Sequence, residues 1–221
     1  MQGNLAKAYR GMGMEGGIAR WYAKNTLRDM DEFKKLAVRL SETLPAGGDI
    51  LEVAPGPGYL AVELARQSRY RVTGLDISKT FVEIAQRNGR QAKVPVDFQQ
   101  GNASAMPFVK NSFDLVVCRA AFKNFSEPVK AISEMHRVLK PGGKALIIDL
   151  RRDVSQNTIN QYVDQLGVGF FSAWMMKLTF RFMLIKRAYT REQFGQFVAL
   201  SPFGRYKVHE NPIGFEVWMY K

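Results

Sequence analysis

Two features of the sequence could do chemistry together. The first is Leu51-Glu-Val-Ala-Pro-Gly-Pro-Gly58, set between an apolar run, Ile50–Val53, and a helix-like run, Tyr59–Arg66. Glycines in such a turn let the backbone approach a ligand closely, and the helix start that follows leaves free amides facing it. The second is Asp76, 18 residues after Gly58 at the end of another apolar run, Tyr70–Leu75. A carboxylate roughly 20 residues beyond a glycine-rich strand–helix turn suits the hydroxyls of a ribose. The pair points to a nucleoside-bearing cofactor without saying which one. Gly56, Gly58 and Ala61 also satisfy the dinucleotide pattern of nicotinamide enzymes, which tolerates alanine at its third position.

The elements that must position this pair alternate from Asp49 onward. Ile50–Val53, Tyr70–Leu75, Val94–Gln99, Phe113–Cys118 and Lys144–Leu150 read as strands. Helices fall between them: Tyr59–Arg66, then one opening near Ser78 or Thr80, where Thr80 and Glu83 fit a capping box. A third is capped by Ser126, with Pro128 in its first turn, and buries Val129, Ile132, Met135 and Leu139. Pro141-Gly142 suits a type II turn. This alternation predicts a parallel sheet covered by helices on both faces. Upstream, Phe33, Leu36, Ala37 and Leu40 share one helical face, whereas Gly11, Gly13, Gly16 and Gly17 make the segment to about Lys24 a poor continuous helix. Downstream, Asn157–Arg187 reads as one or two helices, and Thr190 with Gln193 forms another capping box. Tyr206–Asn211 and Phe215–Tyr220 then read as strands that must pair antiparallel if they pair.

Five ordered motifs decide between the cofactor classes. Glu52–Gly58 resembles the first motif of class I S-adenosylmethionine-dependent methyltransferases, acidic-x-Gly-x-Gly-x-Gly, and Gly74-Leu-Asp-Ile-Ser78 resembles their second. Gly101-Asn-Ala-Ser-Ala-Met-Pro-Phe108 is similar to their adenine-binding loop, Phe113–Cys118 to their fourth strand, and Arg137–Gly143 with Ala145–Asp149 to their helix, turn and fifth strand. The resemblance covers about Asp49–Leu150 and is nearest to the subgroup of ubiquinone/menaquinone C-methyltransferases and related small-molecule enzymes. It implies an α/β, Rossmann-like, seven-stranded, mostly parallel sheet flanked by helices, its last strand antiparallel through a C-terminal hairpin. It implies S-adenosylmethionine as cofactor and S-adenosylhomocysteine as product. Carried over by position, Glu52, Ala54, Gly56 and Gly58 would line the methionine end of the cofactor. Asp76 would hold the ribose, Ile77 would lie against the adenine, and Asn102 and Ala103 would contact the adenine edge. Arg119 would lie beside the sulfonium and the acceptor. Two departures stand out: Ala54 replaces a glycine, which calls for a negative φ and a slightly reshaped loop, and Asn102 replaces the Asp of many relatives.

Methyl transfer from a sulfonium needs positioning and exclusion of water more than a general base. Acceptor candidates are the residues after strands four and five. Arg119, Lys123 and Arg151 suit an anionic acceptor, Asn124 suits a hydroxyl or carbonyl, and Asp149 suits a base; structural ion pairs compete with each reading. Tyr22 or Trp21 would fold over the cofactor as an N-terminal aromatic segment does in relatives.

The formal charge of +12 on 221 residues is spread along the chain. That favours a solvated basic surface over an anionic partner, and a nucleic-acid methyltransferase stays as the alternative function. A cofactor-binding protein without catalysis is the second alternative. His136 and His209 lack metal spacing, so no metal site is expected, and Cys118 reads as a core thiol. Met1 opens no apolar signal core, and Val168–Ile185 is interrupted by Lys177 and Arg181, so a cytoplasmic chain without a membrane span is expected. The expected organisation is one domain over 1–221: an N-terminal helical cap (1–45), a cofactor-binding core (46–150), a helical lid insertion (151–189), and a final helix with a β-hairpin (190–221). Phe170–Arg187 has three readings: a lid over a small-molecule, partly hydrophobic acceptor, a helix packed on the core, or a basic amphipathic helix on a membrane.

Overall fold

The computed structural model describes residues 9–10, 13–67 and 69–221; Gly11 and the first eight residues of the expected cap lie outside the described residues. Strands β1 (Asp49–Val53), β2 (Arg71–Asp76), β3 (Val96–Gln100), β4 (Phe113–Arg119), β5 (Leu139–Leu150), β6 (Arg205–Glu210) and β7 (Gly214–Tyr220) form one sheet in the order β3-β2-β1-β4-β5-β7-β6. The pairs among β1 to β5 are parallel, and β7 inserts antiparallel between β5 and β6. The seven-stranded Rossmann-like sheet with its inverted last strand is thus present.

Helix α1 spans Gly16–Thr26 and α2 spans Met30–Ser41; α3 (Tyr59–Arg66), α4 (Lys79–Ala92) and α5 (Pro128–Val138) are the crossovers. The apolar stripe expected on α2 is buried: Phe33, Leu36, Ala37 and Leu40 join Leu60 and Leu64 of α3 on one sheet face. The opposite face packs Ile132 and Met135 of α5 with Phe194 and Val198 of α9 (Arg191–Ala199) against Leu51, Val116 and Ile147. After β5 come α6 (Gln156–Gln165), α7 (Phe170–Thr179), a π turn (Phe180–Leu184) and α8 (Ile185–Arg187).

Several local expectations need correction. The glycine-rich N-terminal segment forms α1 from Gly16 onward, because docking on α4 outweighs its weak intrinsic propensity. The Glu15 carboxylate accepts from the amides of Lys79 and Thr80 at the start of α4. Ser78, not Thr80, caps α4, its hydroxyl accepting from the Phe81 amide, while the Thr80 hydroxyl turns to Glu15. Ser126 caps nothing; Glu127 occupies the N-cap of α5, and the Ser126 hydroxyl is buried without a partner. The Thr190–Gln193 capping box forms with both bonds. Strand β5 begins five residues earlier than the sequence implies, at Leu139, with a register shift opposite Phe113 and Leu115 and Gly142 at φ 80°.

Because β1 pairs with β2 on one side and β4 on the other, the chain order reverses direction at β1. In open α/β sheets the crevice beyond the strand ends at such a switch point is where ligands bind. Glu52, Asp76, Arg119 and Asp149 all stand at or next to those carboxyl ends.

Candidate functional site

Between β1 and α3 the chain turns through Ala54, Gly56 and Gly58 at φ 55°, 54° and 77°. Gly58 is required twice over. Its φ is left-handed, and a Cβ there would lie 2.6 Å from the Phe98 ring and 2.8 Å from the Ala85 methyl. The expectation of a negative φ and a reshaped loop at Ala54 is overturned. The alanine takes the glycine-like conformation, with its amide donating 2.8 Å to the Leu75 carbonyl. A left-handed alanine carries steric strain that a glycine would not.

Asp76 holds this loop from the neighbouring strand. Its Oδ2 accepts from the Gly56 amide and its Oδ1 from the Ser78 amide, each at 2.9 Å and buried. A carboxylate has about four acceptor positions, so both oxygens keep capacity for further donors. Burial pushes Asp76 up to about 6 against the pull of the Ser78 and Gly56 amides. Burial pushes Glu52 up to about 8, opposed by the Ala61 amide and the Arg119 guanidinium and assisted by Asp76. Glu52 Oε2 is buried with no hydrogen-bond partner.

The rim sorts the other candidates. Tyr22 points inward, packing edge-on to Phe81 with ring centroids 5.8 Å apart, and burial with nearby Asp29, Asp149 and Asp76 raises its phenol despite Arg119. Trp21 points to solvent, 67 % exposed, and is outside the site. Arg119 stacks 4.4 Å over the Phe33 ring. Its charge acts against burial at Glu52, Tyr22 and Tyr162, lowering each of these groups. Ile77 is half-buried beside the loop, its carbonyl accepting from the Gln100 amide group. Asn102 Oδ1 already accepts from the Ser104 amide at 2.8 Å, so this side chain shapes its own loop, with the half-buried Ala103 packed on the core.

Three candidates are committed elsewhere. The Lys123 ammonium and Asp149 carboxylate form a buried pair at 2.8 Å. Asp149 also accepts from the amides of Lys123 and Leu150, so three donors already engage the carboxylate proposed as a base. Arg151 is held by Asp153 and Glu210. Of the three cations proposed for an anionic acceptor, only Arg119 keeps its charge at the rim. The Asn124 carbonyl accepts from the Arg10 amide, and Tyr9 bridges to Phe125. Arg10 also donates to the Tyr189 hydroxyl at 2.8 Å. Sequence reasoning missed Tyr9, Arg10 and Glu15, because nothing local to those residues announces a partner more than sixty positions away.

The sheet order, the loop and Asp76 define the Rossmann-like fold of class I methyltransferases. Residues 51–147 match the family model described as a methyltransferase domain. The chain is 41 % identical over 101 residues to a demethylmenaquinone methyltransferase of Chlorobaculum parvum, covering 45 % of this chain and 40 % of that one. It is 31 % identical over 156 residues to a ubiquinone/menaquinone biosynthesis C-methyltransferase of a Marinomonas species, covering 69 % and 57 %. The chain thus spans about two fifths to three fifths of the length of these curated relatives. A crystal structure of a putative S-adenosyl-L-methionine-dependent methyltransferase from Methanococcus maripaludis superposes with a TM-score of 0.75 at 20 % identity, over 100 % of this chain and 97 % of that one, which shows the shared fold. Residues 51–147 thus form a methyltransferase domain of the class I S-adenosylmethionine-dependent kind, similar in sequence to the ubiquinone/menaquinone C-methyltransferases.

The residues present fit the cofactor of that family. An orphaned buried carboxylate oxygen on Glu52 suits a cationic or amine donor. The spare acceptor positions of Asp76 suit a vicinal diol, and the left-handed turn at Ala54–Gly58 carries the Gly56 amide onto that carboxylate.

Proposed function

We propose that the protein binds S-adenosylmethionine over the β1 and β2 ends and methylates a small, quinone-like acceptor held beneath Arg119 and Tyr22. The observation that carries this reading is the buried Asp76 carboxylate, which grips the cofactor-loop amide of Gly56 while keeping acceptor capacity on both oxygens. The acceptor class is supported by the quinone substrates named for the relatives.

In this reading Glu52, Ala54, Gly56 and Gly58 line the methionine end, Asp76 holds the ribose hydroxyls, and Ile77, Asn102 and Ala103 border the adenine. Bound S-adenosylmethionine supplies a methyl group on a sulfonium that leaves as a neutral thioether. The chain's own residues position the acceptor and exclude water. Tyr22 closes the mouth from α1, and Arg119, steadied by Phe33, attracts an electron-rich or anionic oxygen on the acceptor. Asn124 orients a polar group of the acceptor from the loop after β4. Asp149 serves as a positioning residue, fixing the Lys123 backbone beneath that loop. Residues 151–189 form the acceptor-side cover, since they leave β5 at the carboxyl end of the sheet. Among the described residues, no helix is long and apolar enough to cross a membrane. A cytoplasmic location belongs to the same reading.

The test is calorimetric binding of S-adenosylmethionine and NADH, followed by transfer of a labelled methyl group to a panel of demethylated quinones and to RNA. Binding of NADH alone would sink the reading. Methylation of RNA alone would replace its acceptor half, and tight cofactor binding without turnover on any acceptor would reduce it to a binding role.

A further inference from the structure

Phe170–Arg187 runs as nearly continuous helix through α7, the π turn and α8. Its inner face is accounted for: Phe180 is buried with Ile159 and Val163 of α6, and Ala173, Met176 and Leu184 pack against that cluster. A helix of this kind should be polar outside. Instead Phe171, Trp174, Met175 and Phe182, at spacings of three, four and eleven residues from Phe171, face solvent. They are 70, 50, 45 and 51 % exposed, and Phe170 at the helix start is 90 % exposed. The Phe171 and Trp174 rings lie 6.0 Å apart and form one exposed aromatic pair.

The charge on this element has one sign. Phe170–Arg187 contains Lys177, Arg181, Lys186 and Arg187 and no carboxylate. Lys177 pairs with Asp164, whereas Arg181 and Lys186 lie 5.2 and 5.5 Å from the centre of the Phe182 ring, flanking the stripe. Aromatic and methionine side chains on a convex helix, bordered by free-ended cations, suit burial at the boundary of acyl chains and anionic headgroups. A span is excluded by the cations and by the packed inner face.

We propose that the outer face of Phe170–Arg187 is an interfacial membrane-binding surface that seats the protein on an anionic lipid bilayer. This does not rest on the proposed catalysis, and neither cofactor nor acceptor enters its test. The full chain is centrifuged with sucrose-loaded vesicles of phosphatidylcholine, with or without phosphatidylglycerol. Sedimentation is expected with the phosphatidylglycerol vesicles and should weaken with added salt. The triple change Phe171→Ser, Trp174→Ser and Phe182→Ser should lower partitioning by about tenfold or more, with circular dichroism unchanged because all three side chains face solvent. Arg181→Glu with Lys186→Glu should abolish the preference for anionic vesicles. Failure to sediment with anionic vesicles, or undiminished sedimentation of the triple variant, overturns the proposal. A concentration-dependent dimer lost in the triple variant, without vesicle binding, also overturns it and assigns the stripe to self-association.

Discussion

The Lys123 ammonium stands 2.8 Å from the Asp149 carboxylate, with both side chains buried beneath the loop that follows β4. Breaking a buried pair leaves an uncompensated charge and costs roughly 3–5 kcal/mol. Here the two partners are unequal. Removing Lys123 leaves a carboxylate still served by two amides, whereas removing Asp149 leaves an ammonium and orphans the amides of Lys123 and Leu150. Asp149→Ala is therefore expected to destabilise more than Lys123→Met, each by several kcal/mol, in urea unfolding of the cofactor-free protein. An Asp149→Ala variant of native stability that had lost only turnover would favour Asp149 as a base over a structural role.

Asp76 organises the loop as well as offering acceptors. Its replacement by alanine frees the Gly56 and Ser78 amides, which are buried. Loss of the hydroxyl contacts proposed for the cofactor should weaken binding by roughly 1.5–3 kcal/mol. Asp76→Asn keeps one acceptor oxygen and should fall between wild type and alanine by calorimetry. Unchanged affinity in both variants would remove Asp76 from the cofactor site.

The sheet and the cofactor loop were legible in the sequence for a common reason: both are written locally. Apolar runs such as Phe113–Cys118 and the glycines at 56 and 58 state their own backbone requirements, and the inverted hairpin followed from its short connection. Rim chemistry was not legible, because it depends on partners distant in sequence. Arg151 looked like an anion binder until Glu210, 59 residues on, closed on it. Lys123, offered for the same role, is buried against Asp149, 26 residues away. Trp21 and Tyr22 are adjacent, and only docking of α1 on α4 decides which of them turns inward.

Ala54 offers a test of strain in the cofactor loop. A left-handed alanine costs roughly 1–2 kcal/mol relative to glycine, while glycine adds about 0.4–1 kcal/mol of unfolded-state entropy. Ala54→Gly is therefore expected to leave stability unchanged or to raise it by up to about 1 kcal/mol, with cofactor affinity retained. Ala54→Val, β-branched at the same φ, should destabilise by more than the glycine change stabilises. A clear loss of stability in Ala54→Gly, measured by chemical unfolding, would show that the alanine methyl contributes packing that outweighs its strain.

Glu52 should make the cofactor-free protein pH-sensitive in an unusual direction. Burial raises its carboxyl from 4.5 to about 8 in the fold. Between those values the native state holds a proton that the unfolded chain has released, so stability falls as pH rises across the window. The contribution is fully present below about 4.5 and lost above about 8. Asp76 acts in the same sense over a lower window, from 3.8 to about 6. Thermal midpoints of the cofactor-free protein are therefore expected to decline from pH 6 to pH 8, and Glu52→Gln, which cannot ionise, should flatten that decline. A cation arriving beside the unpartnered Oε2 would favour the ionised carboxylate, so cofactor binding at pH 7 should release protons in wild type and fewer in Glu52→Gln. Calorimetry in two buffers of different ionisation enthalpy counts those protons, and equal release by both proteins would place the titrating group elsewhere.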